Sequence, residues 1–154
     1  MRRVVVTGLG TINPLGNNVE NSWNSLINSK SGISKITKFI VDNYPCKIAG
    51  SIDDKEINSD IVSLRDQRKI DRFITLGLIA AAEAINDSGF ISENETSYRS
   101  GVMVGSGIGG LDTIYKNSSI LDNQGIRKIS PFFIPSSLIN LLSGHISIKY
   151  NLKG

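Results

Sequence analysis

The fold class follows from residues 2–9, Arg-Arg-Val-Val-Val-Thr-Gly-Leu, a short run centred on three consecutive valines. A continuous β-branched run is typical of a strand that is covered on both faces, as in a parallel sheet. A second apolar run, Gly-Val-Met-Val-Gly, occupies residues 101–105. Glycine-rich residues and then helical spacing follow each run. Strands that alternate with helices predict α/β layers around a mostly parallel sheet.

Apolar periodicity and capping residues predict the helices. They are expected over residues 19–29, 72–87 and 111–122, and in a last helix running through residues 138–148. The expected N-caps are Asn17 or Asn18 for the first, Asp71 for the second, and Ser136 or Ser137 for the last. The second helix should turn one side to the core and pack closely through its small residues; that side comprises Phe73, Leu76, Ile79, Ala80, Ala84 and Ile85.

Composition narrows the class of protein. A chain of 154 residues can bury about 70% of its unfolded surface. Seventeen basic against 14 acidic residues give a net charge of +3, which is too small to indicate a nucleic-acid-binding protein. No run approaches the roughly 18 apolar residues of a membrane span, so we expect a cytoplasmic chain without membrane or nucleic-acid partners.

The chain has one cysteine and one histidine, which limits the chemistry it can perform. Cys46 stands between Pro45 and Lys47 with no sequence signal for a lowered thiol pKa, so a structural or incidental role is favoured over a nucleophile. His145 lies within the last predicted helix, and position 149 is Lys149 rather than a second ligand. A packing role for His145 is therefore favoured, and neither a metal nor a bound cofactor is expected.

Residues 105–110, Gly-Ser-Gly-Ile-Gly-Gly, match the G-x-G-x-x-G pattern of dinucleotide-binding loops. Such loops usually follow the first strand, whereas this one follows a later strand. Dense glycine also allows two segments of main chain to approach closely. A nucleotide-binding α/β domain that uses residues 105–110 is kept as one hypothesis.

Basic residues cluster in two places. Arg65, Arg68, Lys69 and Arg72 precede the long helix, mixed with two aspartates, and Arg127 and Lys128 form a smaller group. Each group is either solvated surface or a docking patch for an acidic partner or a phosphate.

Taken together, several segments resemble the amino-terminal part of the β-ketoacyl-acyl carrier protein synthases, most closely the fatty-acid-elongating synthases II of bacteria. Each motif is modest, but the ordered set covers nearly the whole chain. The motifs are Arg3-Val-Val-Val-Thr-Gly-Leu-Gly10, Pro14-Leu-Gly16, Ser31-Gly-Ile33, Asp66-Gln-Arg-Lys69, Asp87-Ser-Gly89, Gly105-Ser-Gly-Ile-Gly-Gly-Leu111, Arg127-Lys-Ile-Ser-Pro-Phe-Phe-Ile-Pro135 and Ser143-Gly-His145.

The resemblance implies a thiolase-like fold, in which two related α/β halves make five layers around mostly parallel mixed sheets. Members condense an acyl group held on an enzyme cysteine with malonyl-acyl carrier protein and release carbon dioxide. The family's catalytic cysteine, two histidines and a lysine are expected downstream, the cysteine shortly after Gly154. Residues 1–154 are therefore expected to be a partial synthase domain that ends before the nucleophile, has no catalytic residue and is inactive alone.

Non-catalytic roles carry over from the family by position. Ile108 matches a residue that gates the acyl pocket, and Phe133 and Ile134 match residues that reach across a dimer to line the partner's pocket. The resemblance implies that an acidic acyl carrier protein docks on Arg65, Arg68, Lys69, Arg127 and Lys128. It also implies a homodimer and a complementary carboxyl-terminal piece. A non-catalytic dimerisation or scaffold protein is the alternative.

Overall fold

The computed structural model describes residues 2–57 and 60–154 of the chain. The helices are α1 (Val19–Ile27), α2 (Leu64–Gln67), α3 (Arg72–Ser88), α4 (Asn94–Ser97), α5 (Leu111–Gln124), α6 (Phe133–Ser137) and α7 (Leu141–Tyr150). Short 3-10 turns occur at Asp54–Glu56 and Ile126–Lys128. Strands β1 (Ile33–Lys35) and β2 (Ile48–Gly50) pair antiparallel, with Ile33 opposite Gly50.

The three helices predicted from periodicity are confirmed as α1, α3 and α5, each ending within two residues of the predicted position. The Asn18 side chain accepts a hydrogen bond from the N–H of Asn21, which confirms one of the two predicted N-caps. Local capping and apolar spacing were sufficient to locate these helices because both signals lie within the helix sequence itself.

The predicted last helix is wrong at its start. Ser136 and Ser137 lie at the end of the separate helix α6, and both hydroxyls donate to the carbonyl of Phe133. Helix α7 begins at Leu141, with Asn140 as its N-cap residue. Pro135 falls in the first turn of α6, where a missing N–H breaks no helical hydrogen bond, so a helix forms across it.

Neither predicted buried strand forms a hydrogen-bonded ladder in the described part of the chain. Residues 2–9 and 101–105 are outside the assigned strands, and Val4 is 92% and Met103 100% exposed. A buried strand requires a neighbouring strand and a cover on its faces. Among residues 2–57 and 60–154 the only sheet is the antiparallel β1–β2 pair, so these two segments have no strand beside them.

The buried face of α3 overlaps the predicted side only in part, because the predicted residues other than Ile79 are half-buried. Among the predicted residues only Ile79 is fully buried; the buried apolar side chains of α3 are Ile74, Leu78, Ile79 and Ala82. The small residues do provide the predicted close packing. A Cβ atom at Gly77 would lie 2.4 Å from Cδ2 of Leu142, so the Leu142 side chain of α7 packs directly on this glycine.

The chain divides into two compact units. The first comprises residues 1–58 and 79–89, and contains α1, the β1–β2 pair and the second part of α3. Its residues 8–11 lie against α3 through glycine: a Cβ atom would lie 2.2 Å from the Ala84 oxygen at Gly8 and 2.0 Å from the Ala80 oxygen at Gly10.

The second unit comprises residues 59–78 and 90–154. Its buried apolar residues come mainly from the first part of α3 and from α7, and include Ile74, Leu78, Leu142 and Ile146. This unit contains all of the candidate site residues implied by the resemblance. Within the described residues, no helix combines the length and apolar character needed to span a membrane.

Candidate functional site

The loop at residues 105–110 displays Ile108, whose side chain is 65% exposed. The Ser106 hydroxyl oxygen accepts the N–H of Gly109 at 3.1 Å, which closes the loop on itself. Gly109 has a φ of +75°, in the region that favours glycine, and a Cβ atom there would lie 2.9 Å from the Ser137 oxygen. The loop conformation therefore depends on glycine at this position.

Helix α6 carries the other two predicted pocket residues at its start. Phe133 is half-buried and Ile134 is 55% exposed. At the other end of α6, the carbonyl of Ser137 accepts the N–H of Gly110 at 3.0 Å. The structure thus brings the end of the Ile108 loop into direct contact with the helix that carries Phe133 and Ile134.

Asp71 joins these two elements to α3. One carboxylate oxygen, Oδ1, accepts the N–H of Phe73 at 3.2 Å, which confirms Asp71 as the predicted N-cap of α3. The other oxygen accepts both the N–H of Thr113, at 3.2 Å, and its Oγ1–H, at 2.6 Å. The Asp71 N–H donates to the carbonyl of Ser136 at 3.4 Å. The sequence did not indicate the contacts with α5 and α6.

The start of α5 does not fit a phosphate site. A phosphate-binding loop leaves the N–H groups at the start of a helix free to contact the anion. Here the Asp71 carboxylate already accepts the Thr113 N–H, and the Leu111 N–H donates to the carbonyl of Gly109. A phosphate beside Asp71 would meet like charge, so the geometry argues against the nucleotide hypothesis for residues 105–110.

The predicted docking residues lie on two segments of the second unit. Arg65 is on α2, Arg68 and Lys69 follow it, and Arg127 and Lys128 form the 3-10 turn after α5. All except Lys69 are exposed, and no ion pair joins Arg68, Arg127 or Lys128 to a carboxylate in the part of the chain that is described. These cations are available to a charged partner.

Lys69 has a different environment from the other docking candidates. Its Nζ lies 3.5 Å from Oδ1 of Asp66 and 5.9 Å from the ring centre of Phe132. A hydrogen bond from the Ser63 hydroxyl, assisted by Lys69, lowers the pKa of the Asp66 carboxyl below its ordinary value. Asp66 therefore offsets part of the positive charge that the basic cluster presents.

A cavity of about 520 Å³ lies beside this cluster in the second unit. Apolar side chains, including Ile61, Leu78 and Phe132, form much of its wall, together with Lys69 and His145. His145, on α7, is half-buried, which agrees with the favoured packing role. Ile108, Phe133 and Ile134 are not among the residues that line this cavity.

In the described part of the chain, the hydrogen-bond partner of Cys46 is a main-chain carbonyl rather than a base. The side chain is exposed, and its Sγ–H donates to the main-chain carbonyl of Ile48 at 3.2 Å. A nucleophilic thiol needs a neighbouring base or cation to stabilise the thiolate. The observed contact does not supply one.

Sequence reasoning missed the role of Glu83 in the first unit. Its two carboxylate oxygens accept the N–H groups of Thr11 and Val19, each at 2.8 Å, and Asp87 accepts the N–H of Leu9 at 2.9 Å. The sequence feature that could have indicated this role is that Glu83 and Asp87 are the only acidic residues of α3, a helix composed largely of small and apolar residues.

Comparisons with known proteins identify the family of the chain and its fold. The sequence model of the β-ketoacyl synthase N-terminal domain matches residues 1–154, and the chain belongs to this family. The 3-oxoacyl-[acyl-carrier-protein] synthase 2 of Vibrio harveyi is 44% identical over 153 residues, and that of Coxiella burnetii is 45% identical. Each alignment covers 99% of this chain, which spans 37% of the length of these relatives.

Solved structures show the same fold. A type II PKS acyl-carrier protein in complex with its ketosynthase aligns with a TM-score of 0.73 and 25% identity, covering 99% of this chain and 40% of that one. The ishigamide ketosynthase/chain length factor aligns with a TM-score of 0.78 and 25% identity, covering 98% and 38%. The chain thus has an incomplete α/β fold of the thiolase-like class, as the family resemblance implied.

Proposed function

We propose that residues 1–154 act as the amino-terminal part of a fatty-acid-elongating 3-oxoacyl-acyl carrier protein synthase, a partial synthase domain working in the cytoplasm. The complete reaction condenses an acyl-enzyme thioester with malonyl-acyl carrier protein and releases carbon dioxide. The main support is the alignment of the whole chain with synthases 2 at 44–45% identity. The proposal needs no metal or bound cofactor.

The catalytic groups belong to polypeptide outside this sequence. Transfer and condensation of an acyl thioester require a thiolate, a base or hydrogen-bond donor, and an oxyanion-stabilising site. The single cysteine of the chain contacts a carbonyl, and its single histidine lies in the wall of an apolar cavity. We expect residues 1–154 alone to be inactive in condensation.

A complementary carboxyl-terminal piece is the expected partner. Residues 4–6, three valines that are each more than 60% exposed, and the fully exposed Met103 present apolar surface with no strand beside it in the described chain. Apolar segments of this kind are stabilised when further strands and helices cover them. The same exposure favours, as a second candidate, a non-catalytic scaffold that associates as a homodimer.

The contribution of this part is to bind the carrier protein and to shape the acyl pocket. Exposed cations at Arg65, Arg68, Arg127 and Lys128 suit an acidic carrier protein, and Lys69 adds a cation beside the apolar cavity. Ile108, Phe133 and Ile134 supply apolar side chains on two segments that contact each other. These features fit the implied docking and acyl-pocket roles.

The test is a domain exchange with a synthase that has the remaining sequence. Residues 1–154 would replace the aligned 37% of the Vibrio harveyi synthase 2, and formation of 3-oxoacyl-carrier protein would be measured by mass spectrometry. We expect product from the joined protein and none from either part alone. A joined protein that is folded and dimeric but makes no product would favour the scaffold candidate.

A further inference from the structure

Asp71 is a buried carboxylate that serves two helices at once. It is 7% exposed, and a buried charge of this kind must be satisfied by hydrogen bonds. The N–H of Phe73, at the start of α3, occupies Oδ1, and the N–H and hydroxyl of Thr113, in the first turn of α5, occupy Oδ2. Because the start of a helix carries partial positive charge, one carboxylate stabilises both helices.

The loop that precedes α5 has little freedom beside this carboxylate. A Cβ atom at Gly110 would lie 2.6 Å from Cα of Ser137 and 3.1 Å from Oδ2 of Asp71. The Gly110 N–H also donates to the Ser137 carbonyl, and the Asp71 N–H to the Ser136 carbonyl. The end of the loop, the end of α6 and Asp71 therefore form one closely packed junction.

We infer that Asp71 is a positioning residue that fixes the loop bearing Ile108 against the helix bearing Phe133 and Ile134, and thereby sets what this chain contributes to acyl-pocket walls, Ile108 to its own pocket and Phe133 and Ile134 to that of a dimer partner. The effect of Asp71 on substrate selection rests on the proposed function. The positioning of the loop and helix does not rest on it, because every contact of the junction lies within the second unit.

The carboxylate cannot be replaced by the isosteric amide without losing a contact. Both oxygens of Asp71 accept from donors, whereas asparagine has one accepting oxygen and one NH₂ group that only donates. In Asp71→Asn, either the Phe73 N–H or the Thr113 N–H must therefore face another donor. The side-chain volume hardly changes, so the core around the junction stays filled.

Thr113→Val provides a more selective change. It removes the hydroxyl that donates to Asp71 at 2.6 Å but leaves the Asp71–Phe73 cap of α3 in place. Glu83→Gln is the matched control, because Glu83 also accepts two main-chain N–H groups but lies in the first unit.

Amide hydrogen exchange on the 154-residue chain tests the junction directly. We expect Thr113→Val and Asp71→Asn to speed exchange of the Gly110 N–H about tenfold, as expected when a stabilising hydrogen bond is lost. Thr113→Val should leave the Phe73 N–H unchanged, and Glu83→Gln should leave Gly110 unchanged. Unchanged exchange at Gly110 in both junction variants would overturn the inference and leave Asp71 as a cap of α3 only.

Substrate selection supplies the second readout, in the joined synthase described above. Thr113→Val should change the ratio of kcat/KM between long and short acyl substrates severalfold, whereas Glu83→Gln should not. An equal fall for all acyl lengths would contradict a positioning role. If the joined protein without substitutions is inactive, the proposed function fails, but the exchange experiment still decides the role of Asp71 in the junction.

Discussion

The Glu83 carboxylate accepts the main-chain N–H of Val19, 64 residues earlier in the chain, at an Oε1–N distance of 2.8 Å. Val19 is the first residue of α1, so its N–H has no partner within that helix. The other carboxylate oxygen accepts the N–H of Thr11. The Glu83 side chain thus connects α3 to residues 11–19, which lie far earlier in the chain but in the same unit.

Substituting Glu83 by alanine should destabilise the first unit. The change removes one acceptor from each of two part-buried N–H groups, and leaving such groups unpaired costs about 1–3 kcal/mol. Urea unfolding followed by the fluorescence of Trp23, the only tryptophan and part of α1, reports on this unit. Asp112→Ala, which breaks an exposed pair with Lys116, is the control. Equal stability of the two variants would show that the Glu83 contacts are not stabilising.

Substituting Gly10 by alanine should destabilise the chain by about 1–3 kcal/mol, as expected for overpacking. The new Cβ atom would lie 2.0 Å from the Ala80 oxygen, so the main chain would have to move.

Substituting Gly144 by alanine should have the opposite effect. Gly144 lies within α7, and a Cβ atom added there would meet no other atom within 4 Å. We expect it to stabilise the chain by about 0.5–1 kcal/mol. A Gly10→Ala variant that is as stable as the unsubstituted chain would contradict the first expectation, and a destabilised Gly144→Ala variant would contradict the second.

The Asp66 carboxyl should titrate below its ordinary pKa in the folded chain. The largest cause is the hydrogen bond from the Ser63 hydroxyl, so Ser63→Ala should raise the pKa of Asp66. Lys69→Met removes a further hydrogen bond and a nearby positive charge and should raise this pKa as well. A pKa that is lowered on folding stabilises the folded state above the pKa of the unfolded chain, and this contribution is lost as pH falls through the folded value. Carboxyl NMR titration measures both shifts. An unchanged Asp66 pKa in Ser63→Ala would contradict the role of the Ser63 hydroxyl.

Reversing charge at Arg68 and Lys69 in the joined synthase should raise KM for the carrier protein and leave kcat nearly unchanged. Exposed cations mainly accelerate the encounter with an acidic partner, so the difference from the unsubstituted protein should shrink as salt is added. Lys116→Glu, on the exposed side of α5, is the control. An unchanged KM at low salt would remove Arg68 and Lys69 from the docking surface.

Capping residues and apolar spacing predicted the helices, but they carry no information about contacts between residues that are far apart in the sequence. Asn18 and Asp71 cap α1 and α3 as expected, since the capped N–H lies two or three residues away. The contact of Asp71 with Thr113 joins residues 42 apart and has no sequence pattern. Residues 4–6 have the composition of a buried strand, but a strand forms only beside a neighbour that the described residues do not contain.

The candidate site was predicted as a set of residues rather than as a geometry. Only the family resemblance assigned Ile108 to the acyl pocket of this chain and Phe133 and Ile134 to that of a dimer partner. The structure adds the hydrogen bond between Gly110 and Ser137, which brings their two segments into contact. It also shows that Lys69 and Arg68 have different environments: Lys69 lies near Asp66 and Phe132, whereas Arg68 is exposed.

The proposed function requires that residues 1–154 hold no acyl-accepting nucleophile. Intact-protein mass spectrometry after incubation with carrier protein that bears an acyl group tests this requirement, with the joined synthase as the positive control. We predict an acyl adduct on the joined protein and an unmodified mass for residues 1–154 alone. A stoichiometric acyl thioester on the isolated chain that disappears in Cys46→Ala would contradict the claim.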